Sequence, residues 1–135
     1  MKILHTIDKL AWIAIQDQKI LVTRSKGKDK WYIPGGKREG SESDEAALIR
    51  EIKEELDVDL KPNSISYYET FSAQAHGHAD GVHVKMQCYA AKYDGELKAS
   101  AEIEELAWFT TADMDRISFV DVLIFNWLKE RNLIS

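Results

Sequence analysis

The chain has 135 residues, 44% of them hydrophobic and 30% charged, which is enough apolar material for one compact domain over residues 1–135. Its formal charge of −5 at pH 7 argues against broad electrostatic wrapping of nucleic acid, which needs a surplus of Lys and Arg, and leaves open only a local basic patch. A single cysteine, Cys88, excludes an internal disulfide and leaves any Cys-based metal site short of ligands.

The opening Met1-Lys2-Ile3-Leu4-His5 runs into mixed polar and apolar residues, without the continuous apolar stretch of a signal peptide or the longer one of a membrane span. A soluble, cytoplasmic protein with no membrane partner is expected. Residues 7–15 read as a strand with a nearly continuous apolar centre, and Lys19 to Arg24 as its hairpin partner across Gln16-Asp17-Gln18. A polar, basic loop follows, with Arg24, Lys26, Lys28 and Lys30 as candidates either for a phosphate clamp or for an ordinary solvated surface. Trp31-Tyr32-Ile33 is a short apolar run ended by Pro34-Gly35-Gly36, where the absent side chains let backbone carbonyls and amides approach a ligand or ion. Trp31 and Tyr32 are either core residues or a face for stacking a base.

Ser43 or Ser41 caps the next element, a helix running to about Leu56 with Asp44 and Glu45 in its first turn, where the helix dipole favours negative charge. Residues 64–75 read as a strand, His76 to Gly81 as a loop, and residues 83–93 as another strand. Val84, Met86, Cys88 and Ala90 share one face of that strand, which makes Cys88 a core thiol. Asp94-Gly95 marks a turn, and residues 106–109 a final strand after the acidic Glu102-Ile103-Glu104-Glu105. Val120, Leu123, Ile124, Trp127 and Leu128 recur at helical spacing as a packing stripe. The whole reads as an α+β sandwich with a mixed β-sheet and two main helices.

The chemistry concentrates in the first helix. At about 100° per residue, Glu51, Glu54 and Glu55 fall within roughly a quarter of the circumference, opposite Ile49, Ile52 and Leu56, so three carboxylates are expected on one exposed ridge. Such like charges repel unless cations offset them, and an oxygen-rich cluster suits Mg²⁺ or Mn²⁺. The bland reading is a solvated acidic face. Against it stands the spacing of Gly36, Glu42, Arg50, Glu51, Ile52, Glu54, Glu55 and Val58, which resembles the Nudix box G-x5-E-x7-R-E-U-x-E-E-x-G-U, where U is aliphatic. Asp57 stands where that pattern has glycine, at a helix end where Asp tolerates a left-handed backbone.

The resemblance to the Nudix (MutT-type) hydrolases implies an α/β/α sandwich with a mixed sheet and metal-dependent hydrolysis of a pyrophosphate linkage in a nucleotide-like small molecule. It implies Glu54 and Glu55 as principal metal ligands, Glu51 as ligand or base, and the carbonyl of Gly36 as a further donor. Arg50 would hold Glu51 or Glu42 by a charge-assisted hydrogen bond, with Glu42 either bracing the loop or binding a metal. Glu102 and Glu104 stand as extra candidates for ligand or base. His76, His78 and His83 lack the partner set of a zinc site, and either grip the substrate or face solvent. A catalytically silent nucleotide sensor is the alternative. Nothing in the pattern selects among nucleoside triphosphates, sugar nucleotides, dinucleoside polyphosphates and capped RNA ends, and a homodimer stays open.

Overall fold

The computed structural model describes residues 5–135, so the reading of Met1 to Leu4 lies outside the described residues. Among the described residues, nine strands form two main sheets and a small ribbon. β1 (His5–Ile13) runs parallel to β7 (Val82–Ala90); β4 (Gly35–Gly36) pairs antiparallel on the other side of β1, and β6 (Ser66–Gln74) antiparallel on the far side of β7. The second sheet has the order β2 (Ile15–Gln16), β3 (Lys19–Ser25), β9 (Ile103–Phe109), and β5 (Asp59–Leu60) pairs with β8 (Tyr93–Asp94). Two helices, α1 (Asp44–Leu56) and α2 (Phe119–Glu130), complete the α+β sandwich.

The apolar centre of β1 is explained by burial on both faces, the usual lot of a strand in a parallel pair. Ala11 and Ile13 join Ile20, Val22, Met86, Cys88 and the α2 residues Ile124, Phe125 and Leu128 in one core. Leu10 and Trp12 join Leu21 and the α1 residues Leu48, Ile52 and Leu56 in the other. Cys88 lies in the first core, where burial pushes its thiol pKa upward and keeps it unreactive.

The expected hairpin is shorter than its sequence suggests. Only Ile15 and Gln16 pair with Ile20 and Lys19, across a two-residue turn whose Asp17 and Gln18 both adopt left-handed φ values of 53° and 60°. The chain changes sheets at Ala14, and the long partner of β1 is β7 instead. The acidic segment before the final strand also differs from expectation: Ile103 to Glu105 belong to β9, where Arg24 of β3 meets Glu105 at 2.6 Å and Glu104 at 3.7 Å. That pairing occupies one of the cations considered for a phosphate clamp. Among the described residues, no helix is long and apolar enough to cross a membrane.

Candidate active site

α1 is capped as its sequence requires: the Ser43 side chain accepts from the Ala46 N–H at 3.1 Å, and Asp57 closes the helix in a left-handed conformation, φ 58°. Its carboxylates do not form one exposed ridge. Glu55 lies on the buried side with only 8% exposure, the Glu51 side chain is mostly covered, and the Glu54 side chain stands half exposed. The reason is β4, which passes over this face with no side chains of its own. The Gly35 N–H donates to Glu55 Oε1 at 3.1 Å. A Cβ on Gly36 would fall 2.4 Å from the Glu51 carboxyl carbon, and one on Gly35 would fall 1.9 Å from the Leu10 carbonyl oxygen. We expect Gly36→Ala to fold and to lose about tenfold in turnover by displacing Glu51, a split that kinetics together with thermal unfolding will reveal.

Arg50 is the hub of the charged network. Nε and one terminal nitrogen donate to both oxygens of Glu42 at 2.8 and 2.9 Å, a bidentate pair, and the same terminal nitrogen reaches the Lys37 carbonyl at 3.0 Å. The other terminal nitrogen meets Glu51 at 3.0 Å and Glu54 at 3.4 Å. Arg50, with help from the Glu39 N–H at 2.8 Å, holds the Glu42 carboxyl down at about 2, so Glu42 stays ionised and ties the loop after β4 to the helix. Arg38 secures the same loop from the other side, donating to Asp44 at 2.6 Å, Asp8 at 2.8 Å and Gln87 at 3.2 Å.

Glu102 is brought to α1 by backbone. The Ser100 N–H donates to the Glu55 carbonyl, the Lys98 N–H to the Leu56 carbonyl, and the Glu102 carbonyl accepts from the Lys26 N–H at 2.8 Å. The result is an acidic cluster in which burial, with Glu51 and Glu102 adding repulsion against the pull of the Gly35 N–H, raises Glu55 to about 8. Burial also raises Glu51, opposed by Arg50. Glu51, Glu55 and Glu102 line one cavity of about 560 Å³, together with the cations of Lys9, Lys28 and Lys37. Glu54 and Glu104 are not among its lining residues. Among the described residues no three His, Cys, Asp or Glu side chains converge on one point as a ready-made metal cage.

The same cavity is lined by Tyr32, His76, His78 and Ser118, whereas Trp31 is buried against Phe109 in the core. His83 lies outside that lining, paired with Gln74 in the β6–β7 ladder. Beside Ser118 is a residue the sequence reading passed over, Asp121. It is fully buried; one oxygen accepts from the Ile33 N–H at 3.2 Å, and Oδ1 lacks any hydrogen bond, as does Ser118 Oγ. Burial lifts Asp121 to about 7, against the opposing influence of Ser118, Ile33 and the positive charge of Lys9. Its one sequence signal is a lone acid among the apolar residues 119–125, hidden by the helical stripe around it.

The sequence model of the NUDIX domain matches residues 8–128, a span from β1 through the carboxylate helix to α2. The chain belongs to the NUDIX family. It is similar to an uncharacterized Nudix hydrolase, YvcI, of Bacillus subtilis, 26% identical over 75% of this chain, and it spans 64% of that relative's length. An ADP-ribose pyrophosphatase of Methanocaldococcus jannaschii is 29% identical over 86% of this chain and 69% of its own. Among solved structures, the solution structure of the E. coli ORF135 protein superposes with a TM-score of 0.71 at 25% identity, over 96% of this chain and 92% of that one. The Nudix fold and the α/β/α reading agree with these likenesses.

Proposed function

We propose that residues 1–135 act as one Nudix pyrophosphohydrolase domain, cleaving a phosphoric anhydride between a nucleoside diphosphate and a second group with the help of Mg²⁺, for which Mn²⁺ substitutes. The observation that carries this reading is the acidic end of the cavity. Glu51 and Glu55 face it from beneath a strand without side chains and Glu102 from the segment before β9, while the nearby guanidinium of Arg50 is largely committed to Glu42. Carboxyl groups gathered there suit a divalent ion, whose charge would favour the ionised form of Glu55, and carboxylate and carbonyl oxygens are the donors Mg²⁺ prefers. The M. jannaschii relative, an ADP-ribose pyrophosphatase, supports a nucleotide-like small-molecule substrate.

In this reading Glu51, Glu54, Glu55 and the Gly36 carbonyl hold the ion, which when bound neutralises phosphate oxygens and acidifies a water. Arg50 orients Glu51 and keeps Glu42 braced against the loop. Glu102, and Glu51 where it is not a ligand, are the candidate bases: both face the cavity, and either would take the proton of the attacking water at a carboxylate oxygen. Lys9, Lys28 and Lys37, which line the same cavity, draw the phosphates in.

The test is product release from nucleoside triphosphates, sugar nucleotides and dinucleoside polyphosphates with Mg²⁺, with Mn²⁺ and with chelator. Release that chelator abolishes supports the hydrolase; nucleotide binding with no turnover across the panel favours the silent sensor. Glu54→Gln should keep the fold and lower metal-dependent turnover by about tenfold, and unchanged turnover would remove Glu54 from the ligand set.

A further inference from the structure

The loop between β6 and β7 is not held by a core of its own, because Ala75 is its one buried apolar side chain. It is folded around the side chain of Gln74. Nε2 donates to the carbonyls of Ala79 at 2.8 Å, Ala75 at 3.3 Å and His78 at 3.4 Å, and Oε1 accepts from the Gly81 N–H at 3.1 Å. One amide, its two N–H hydrogens shared among three carbonyls, thus ties four backbone groups together and fixes the segment that carries His76 and His78 into the cavity.

His76 is held from a second direction. Its ring meets that of Phe119 edge to face, with centroids 5.7 Å apart and planes at 72°. Phe119 stands at the first turn of α2 with 54% of its surface exposed, so the core does not account for its place there. Its neighbours Ser118 and Val120 line the cavity. A planar imidazole, pinned by a folded loop and backed by a phenyl ring, offers a face for stacking and an edge for hydrogen bonding.

We propose that His76 is a specificity-determining residue that contacts the planar nitrogen heterocycle of the substrate, with Gln74 and Phe119 as the residues that position it. The assignment rests on the proposed nucleotide hydrolysis at the same cavity. It treats the cavity as divided, with the acidic cluster meeting the anhydride and the His76 wall meeting the base.

The experiment follows the His76 ring protons by NMR as the full chain is titrated with AMP, with GMP and with inorganic pyrophosphate. Alongside it, the kinetics of His76→Ala, His76→Phe and Gln74→Ala are measured on the best nucleotide substrate. A nucleotide-induced upfield ring-current shift, absent with pyrophosphate, is expected. His76→Ala should raise KM about tenfold with kcat within about twofold, in line with the usual worth of a stacked base. His76→Phe should restore most of the loss, and Gln74→Ala should reproduce part of it. Equal shifts with pyrophosphate, or an unchanged KM in His76→Ala, would overturn the proposal. A wild-type chain that hydrolyses nothing but still shows the nucleotide-specific shift would leave the contact standing and remove the hydrolase reading.

Discussion

Glu55→Gln is expected to cut metal-dependent turnover by about a hundredfold or more while leaving the metal-free protein folded. Glutamine keeps an oxygen to accept from the Gly35 N–H, so the link between β4 and α1 survives. What disappears is the latent charge. In the free protein burial and the neighbouring carboxylates hold Glu55 near 8, so at neutral pH it retains its proton, and a bound cation would favour its release. The same substitution should therefore abolish stabilisation by Mg²⁺. Thermal unfolding with and without Mg²⁺ reads this directly: a variant that keeps both the Mg²⁺ shift and wild-type turnover would rule Glu55 out as a ligand.

Asp121 yields the second large effect, in stability rather than rate. Its folded pKa of about 7 lies above the ordinary value of 3.8, so between these pH values the folded chain holds a proton that the unfolded chain has released. Below 3.8 both states are protonated and no penalty applies. As pH rises from about 4 to about 7 stability falls, and above 7 the loss is complete. A shift of this size corresponds to something on the order of 4 kcal/mol. Asp121→Asn should remove this slope, making the variant more stable than the parent at pH 8 and little different near pH 4. Its amide can keep the Ile33 contact and turn its N–H₂ toward the Ser118 hydroxyl. Denaturant unfolding across that pH range measures the difference, and parallel curves for the two proteins would contradict the account.

The carboxylate helix was legible because two local patterns coincide there. Helical periodicity places Glu51, Glu54 and Glu55 near one another, and the spacing from Gly36 to Val58 follows the family motif. Periodicity assigns a face to a helix without stating what packs on that face. The strand of two glycines covers Glu55 and leaves Glu54 outside the cavity, and no local pattern in α1 reports that. The longer strands were legible too, from apolar runs and turn residues, but the two-residue strands β4, β5 and β8 and the pairing were not. The break at Ala14 and the parallel pairing of β1 with β7 depend on residues far apart in the chain. Glu102 was a candidate among several acids until the Ser100 and Lys98 backbone bonds brought its segment against the end of α1. Asp121 was missed because an amphipathic stripe is recognised by its apolar members, and a buried acid within it reads as noise.

The β1–β7 pair also bears on the order in which this molecule takes shape. His5 pairs with Val82 and Ile13 with Ala90, so the central ladder cannot close until most of the chain is available. Gly35 and Gly36 are laid against Ala11 and Leu10 of that same β1. The helix and its cap belong to one local segment and can form early; the lid of glycine backbone above the carboxylates waits for a long loop to close. Contacts of such wide sequence separation slow folding, because chain entropy is lost before they are gained. Helical signal should therefore recover ahead of ion affinity on refolding, with the acidic residues exposed to water until the final strands arrive.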